Sequence, residues 1–534
     1  MNHRKSLKQR LSRQRKSRYP ALPSLSAIIV GLTLAMSHQP LWASSDNQDV
    51  LEVADQQLSP TCYVQGLSDR LNCGFVTVPE NPNKPDGKTI DVHYVVLPAV
   101  KNSYPGEALL AIAGGPGQSA IDNAASFNSM LAKVREQRDI LLIDQRGTGR
   151  SNILNCTDGN ASALSFNDSN VDSALETQKC LEQIKDTDIT QYGSLTALAD
   201  FEAVREHLGY KKLHLYGISY GTRMAQLYMR HYPEVLATVT LDGVVPMQQS
   251  VLAIGEAIER GFSLLLEDCK ATAACHAQFP KLADDLAKVE AKLQMAPFVS
   301  DIRDPLTGEQ TSLTMTRNKF LGAVRMALYM PNVRALLPHA IHQAAEENFQ
   351  AMVGLFSLTV DSTGIAMGMH ASVVCGEDVH RITPQMREVA AQSYMGKLML
   401  EQMEASCAIW KMPTADANFS EPISSDIPTL LLSGEIDPAT PPSWGELAKE
   451  KLTNAKHFVA PSATHGVAYQ SCGNKLIADL VASGSVKDLD GQCLEKDVRR
   501  SFYLNASTVE PLTNDNNSTS TPEPALNASA TIKE

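Results

Sequence analysis

The stretch "LHLYGISYGTRMAQ", residues 213–226, sets Ser219 between Gly217 and Gly221. The apolar run "KKLHLY" precedes it and the helical pattern "TRMAQLYMRHYP" follows. A serine on a sharp strand-to-helix turn, with glycines letting the two backbones approach, is presented as an exposed nucleophile. The N-terminus of the following helix aims its dipole at any oxyanion formed there. A hydroxyl alone attacks poorly and needs a base oriented by an acid. For this turn the chain order is Ser, then Asp or Glu, then His. Asp437 in "LLLSGEIDPATPP" and His465 in "FVAPSATHGV", 28 residues on, meet that order, each just past a strand-like run. The ends of sheet strands are where catalytic groups gather in open α/β folds. Two backbone N–H groups should receive the oxyanion. One is that of Tyr220, the residue after the nucleophile. The other is that of Gly115 in "AIAGGPGQSA", residues 111–120, where Gly114, Gly115 and Gly117 admit close backbone approach. A phosphate cradle is the rival reading of that loop, but no Gly-Lys-Ser/Thr follows it. Ser119 lacks flanking glycines and is a poor competing nucleophile, while His214 and His457 fall inside strands and read as structural.

Short runs rich in Val, Ile and Leu must carry these groups. They occur at 89–98, 108–113, 139–144, 212–217, 237–242, 428–434 and 456–460, with amphipathic segments such as "ALADFEAVREHLG" (197–209) between them. The alternation predicts a doubly wound, mostly parallel α/β sheet. From 247 to 425 the strand signal vanishes into Ala-, Leu- and Met-rich helical patterns, which predicts a helical cap inserted between a first core part (60–246) and a second (426–503). From Asn505 to the end the chain is Asn, Ser, Thr and Pro with few apolar residues, and a disordered tail is expected over 505–534.

The 534-residue chain is 43% hydrophobic and 20% charged, as in ordinary globular proteins. Residues 1–18 hold eight basic and no acidic residues; a ten-residue apolar run (27–36) and Leu41-Trp42-Ala43 follow. These are the parts of a secretory signal peptide, expected over 1–43. The apolar run falls short of the ~18–20 residues that span a bilayer, so no stable membrane insertion is expected. Subtracting the leader's eight positive charges from the net −12 leaves −20, a charge that repels nucleic acid. Ten cysteines in an exported chain suggest disulfides. Their spacing falls into the local pairs 62–73, 156–180, 269–275, 375–407 and 472–493. No cluster has zinc-ligand spacing, and no metal or cofactor is expected.

Together "AGGPGQSA", "LIDQRGTGRS", "GISYGTRMA", "LDGVVP", "SGEIDPATPP" and "SATHGV" resemble the proline iminopeptidase and tripeptidyl aminopeptidase family of serine α/β-hydrolases. The resemblance covers about residues 60–500, with a C-terminal part similar to the TAP-like domain. One departure is Ala113, where proline iminopeptidases carry His, and it leans the likeness toward the tripeptidyl branch. The resemblance implies an α/β-hydrolase fold with a helical cap, export to the periplasm or outside, and release of amino-terminal residues from peptides. In that family cap carboxylates hold the substrate ammonium, so Glu377 of "SVVCGEDV", with Asp378 second, is expected to supply the counter-charge. The "DQRGTGRS" segment reads as a structural turn tied by Asp144 and Arg146. An esterase using the same machinery, and a non-catalytic binding protein on the same fold, are the alternative readings.

Overall fold

A computed structural model of the chain describes residues 60–156, 162–360 and 364–511. The expected signal peptide therefore lies outside the described residues. Strands β1 (Thr61–Cys62), β2 (Leu71–Pro79), β3 (Thr89–Leu97), β4 (Glu107–Ile112), β5 (Asp139–Ile143), β6 (Lys212–Ile218) and β7 (Leu236–Asp242) come first. After them come β8 (Phe298–Arg303), β9 (Gln310–Met315), β10 (Thr429–Gly434), β11 (Ala455–Ala460), β12 (Tyr503–Asn505) and β13 (Thr508–Val509). Nine strands build one sheet in the order β1-β2-β3-β5-β4-β6-β7-β10-β11. Its run from β5 to β11 is parallel, and β1, β2 and β3 join antiparallel at one edge.

The parallel strands bury both faces, as continuous apolar runs demand. Leu110 and Ile112 of β4 and Leu141 and Ile143 of β5 enter one cluster with Phe201 and Met224 from the helices Ser194–Leu208 and Tyr220–His231. The alternate residues Leu109, Ala111, Ile140 and Leu142 enter a second with Phe127 and Leu480 from the helices Ala124–Met130 and Gly473–Ser483. Each such buried Leu or Ile contributes roughly 1.5–3 kcal/mol.

All seven strands read from the sequence form. β2 was not foreseen because most of its residues are half-buried or exposed, so it is no continuous apolar run. The inserted region is likewise not purely helical: β8 and β9 pair as a hairpin there. Every second residue of β8 is exposed, which dilutes its strand signal. The helices between Ile254 and Val360 have their own core, including Phe262, Phe320 and Ile341. By contrast, Met369 and Val373 of the helix Met367–Glu377, with Trp410, pack into the sheet's first cluster. The five disulfides are the five predicted pairs, Cys62–Cys73, Cys156–Cys180, Cys269–Cys275, Cys375–Cys407 and Cys472–Cys493.

The tail expectation needs correction at its start. β12 and β13 form a hairpin on the inserted helices: Tyr503 N–H donates to the Ala335 carbonyl at 3.0 Å, and Arg499 pairs with Glu510 at 2.5 Å. Phe502 is fully buried in the apolar cluster of the helices between Ile254 and Val360, an anchor that local composition hides. Residues 512–534 lie outside the described residues. Phe502→Ala should lower unfolding free energy in a denaturant titration by about 3–5 kcal/mol. Val509→Ser, at an exposed site, should change it by less than about 0.5 kcal/mol.

Candidate active site

β6 ends at Ile218 and the helix Tyr220–His231 starts two residues later, with Ser219 alone between them. Ser219 has φ 57° and ψ −126°, a backbone state that costs a non-glycine residue about 1–3 kcal/mol. Its surroundings hold it there. Ser219 N–H donates to the Asp242 carbonyl at 3.0 Å, and the Ser219 carbonyl accepts from Thr222 N–H at 2.9 Å and Thr222 Oγ1 at 2.6 Å. A Cβ at Gly217 would overlap the Gly221 carbonyl, and one at Gly221 would overlap the carbonyl of Ile112 on β4. The helix start thus rests directly on the neighbouring strand.

The loop after β4 closes over the turn. A Cβ on Gly114 would stand 3.0 Å from Ser219 Cβ, and Gly115 takes φ +108°, where side chains are strained. Tyr220 opens the helix, so its N–H is among the first-turn donors without an intrahelical acceptor. Ser119 lies in the same loop but gives its hydroxyl to Asp144 Oδ1 at 2.6 Å, and is thereby occupied structurally.

Asp437 follows β10 and His465 follows β11, at the same C-terminal end of the sheet as Ser219. His465 Nδ1 lies 2.9 Å from Asp437 Oδ2. With the carboxylate accepting the Nδ1 proton, Nε2 is left as the free acceptor. Asp437 is fully buried and accepts from Ala439 N–H at 2.7 Å, Thr440 N–H at 3.0 Å and Thr440 Oγ1 at 2.8 Å. Gln470 Nε2 donates to the His465 carbonyl at 2.6 Å while its Oε1 accepts from Thr464 N–H at 2.8 Å, which pins the histidine loop. Burial opposes a charge on His465, but the Asp437 carboxylate, with a contribution from Asp242, raises its pKa above the ordinary histidine value. From the inserted region, Tyr329 sets its ring edge-on to His465 at 5.2 Å.

The two carboxylates at the end of the helix Met367–Glu377 have different surroundings. Glu377 is 5% exposed and accepts from Ser194 N–H at 2.8 Å and Ser194 Oγ at 2.9 Å. Ser194 Oγ and the Tyr220 hydroxyl are 2.6 Å apart, so Glu377 is two hydrogen bonds from the residue beside Ser219. Burial lifts the Glu377 carboxyl to about 7, even though Arg223 at 3.9 Å pulls the other way. Asp378 is fully buried and takes Arg223 in a fork, Nη1 to Oδ2 at 2.8 Å and Nη2 to Oδ1 at 3.2 Å, with Val251 N–H donating at 2.9 Å. Its charge is already matched, so it acts on the site through Arg223 and not as a free carboxylate.

Several residues around the centre escaped sequence reasoning: Arg223, Ser194, Thr440, Gln470, Tyr329 and Asp242. Arg223 did carry a signal, as a cation four residues past Ser219 on the inner face of a buried helix. Asp242 caps the turn after His465, accepting from Val467 and Ala468 N–H at 2.8 and 2.9 Å. His214 is buried between Thr238 and Glu107, and its pKa is pushed down to about 4 by burial, aided by Arg138. Arg146 pairs with Asp200 at 2.6 and 2.7 Å, a structural tie in the turn after β5.

Residues 107–302 match the family model described as alpha/beta hydrolase fold, and residues 392–493 match that of the TAP-like protein. Serine protease Hip1 of Mycobacterium tuberculosis (strain ATCC 25618 / H37Rv) is 23% identical over 460 residues, covering 79% of this chain and 87% of that protein. A tripeptidyl aminopeptidase of Streptomyces coelicolor is 28% identical over 196 residues, covering 34% of this chain and 36% of that protein. Among solved structures, a proline iminopeptidase of Mycobacterium smegmatis aligns over 77% of this chain and 98% of its own, with 14% identity and a TM-score of 0.34. The chain has the α/β-hydrolase fold, and its residues 392–493 are similar to the TAP-like protein family.

Proposed function

We propose that the protein is an exported serine exopeptidase that releases amino-terminal residues from peptides through an acyl-enzyme. The observation that carries this reading is the strained Ser219 at the end of β6, with the His465–Asp437 pair at the ends of the neighbouring strands β10 and β11. Ser219 Oγ attacks the scissile carbonyl and passes its proton to His465 Nε2. The tetrahedral oxyanion accepts from the N–H groups of Tyr220 and Gly115. His465 then protonates the leaving amine, whose C–N bond breaks to leave an ester on Ser219. Water attacks that ester, gives a proton back through His465, and frees the released amino-terminal piece. Asp437 holds the imidazole in the productive tautomer throughout.

Peptide substrates are supported by the serine protease and tripeptidyl aminopeptidase relatives. A free amino terminus is supported by Glu377, a buried carboxylate close to the nucleophile's own helix. Five disulfides and the basic, apolar leader pattern support export. Among the described residues no helix is long and apolar enough to cross a membrane.

A peptide ladder incubated with wild type and with Ser219→Ala, its products read by mass spectrometry, tests the reading. Wild type should remove residues from unblocked peptides and leave N-acetylated ones intact, and the variant should do neither. A short ester turned over far faster than any peptide would favour an esterase instead. The two titrating groups give separate pH signatures. With a short ester, kcat/KM should fall as pH drops through a His465 pKa above the ordinary ~6.5, because protonation removes the base. Asp437→Asn should lower that pKa and cut kcat by about 10⁴, the size of effect expected when the imidazole takes the wrong tautomer. With an unblocked peptide, KM should fall as pH rises through about 7, where Glu377 loses its proton and gains its charge. Glu377→Gln should flatten that dependence and raise KM for free-amine peptides alone; an equal rise for esters would remove Glu377 from amine recognition.

A further inference from the structure

Tyr329 lies just beyond the inserted helix Arg317–Ala327, and two contacts fix it over the active centre. Its ring meets His465 edge-on at 5.2 Å, and its carbonyl accepts from Thr464 Oγ1 at 2.6 Å. Arg325 stands four residues earlier, on the same face as Tyr329. Its charge reaches His370, whose Nδ1 lies 3.3 Å from the Pro116 carbonyl in the glycine loop. Burial holds the His370 imidazole below its ordinary pKa, and the positive charge of Arg325 pushes the same way. Arg325 is thus one helical turn from the residue that covers His465 and within electrostatic range of the histidine that meets the oxyanion loop.

Arg325 is half-buried, and its Nε is buried with no hydrogen-bond partner among the described residues. The neighbouring arginines are matched: Arg317 to Glu290 and Arg334 to Asp268, each at 2.5 Å. No carboxylate of the described residues pairs with Arg325. A desolvated guanidinium donor left unmade is costly, and a carboxylate offers it two parallel acceptors. Asp437 and Asp242 would repel an anion entering this centre unless a cation offset them. We propose that Arg325 anchors a carboxylate of the substrate, either the C-terminal α-carboxylate of a short peptide or an acidic side chain. This inference rests on the peptidase reading for its substrate class.

The test uses the full-length mature protein and a neutral pentapeptide as free acid and as C-terminal amide, with further amides carrying Glu or Gln at each position in turn. The quantity read is the kcat/KM ratio within each pair, so the fraction of correctly folded enzyme cancels. Wild type should prefer one carboxylate-bearing member by about 10- to 100-fold. Arg325→Met should bring that ratio close to one, and Arg325→Lys should keep part of it. Collapse of the acid/amide ratio assigns the α-carboxylate, and collapse of a Glu/Gln ratio assigns a side chain. No discrimination by wild type, or a ratio that survives in Arg325→Met, overturns the proposal. Should no peptide be cut although a serine-directed phosphonate labels Ser219, the peptidase reading fails by itself. The same pairs are then compared as protection against that labelling, where the same two outcomes decide for or against Arg325.

Discussion

The fit of the Ser219 turn against β4 is the constraint on which the rest of the structure depends. The strand and helix can meet at so sharp an angle only because Gly217 and Gly221 lack side chains. The strain in Ser219 is tolerated because the elements on either side are overdetermined. β6 is hydrogen-bonded to β4 and β7, and nearly every residue of the following helix is buried. Moving any of these layers would change the direction of the Ser219 hydroxyl. The direction of that hydroxyl is therefore a property of the sheet and its helices as much as of one residue.

A second dependence runs from that helix into the inserted region. Arg223 leaves the helix one turn after Ser219 and meets Asp378, at the end of a helix that packs on the sheet's own cluster. Both charges are fully buried, so their desolvation offsets much of their attraction, and such a pair adds little net stability. What it supplies is registry, because either partner alone would be an uncompensated buried charge. Glu377, one residue earlier, is held by Ser194 and lies beside the same guanidinium, yet its burial keeps its proton affinity high. Two adjacent carboxylates thus acquire different duties from their partners.

Legibility in the sequence followed the range of the contacts. Ser219, Asp437 and His465 were readable because each sits just past a strand whose apolar run is continuous. The disulfide pairs were readable because they close short loops, the longest spanning 32 residues. β2 and the β8–β9 hairpin were missed because half-exposed strands dilute the apolar signal. The Arg223–Asp378 fork joins positions 155 residues apart and leaves no local pattern. Arg325 was invisible for a similar reason, since only the folded chain shows that it lacks the partners its neighbours have. The expected tail failed at its first residues because the anchor, Phe502, lies just ahead of the polar stretch that defined it.

That anchor bears on the order in which the molecule can be made. The apolar cluster of the inserted helices draws on residues from Leu164 to Phe502. A chain emerging from its N-terminus would hold nearly all of that cluster before its last wedge appeared. Until then the cluster would lack Phe502 and the flanking Tyr503 and Leu504, and the sheet would already have its final strand, β11. The helices around that cluster would thus be completed after the sheet that carries Ser219.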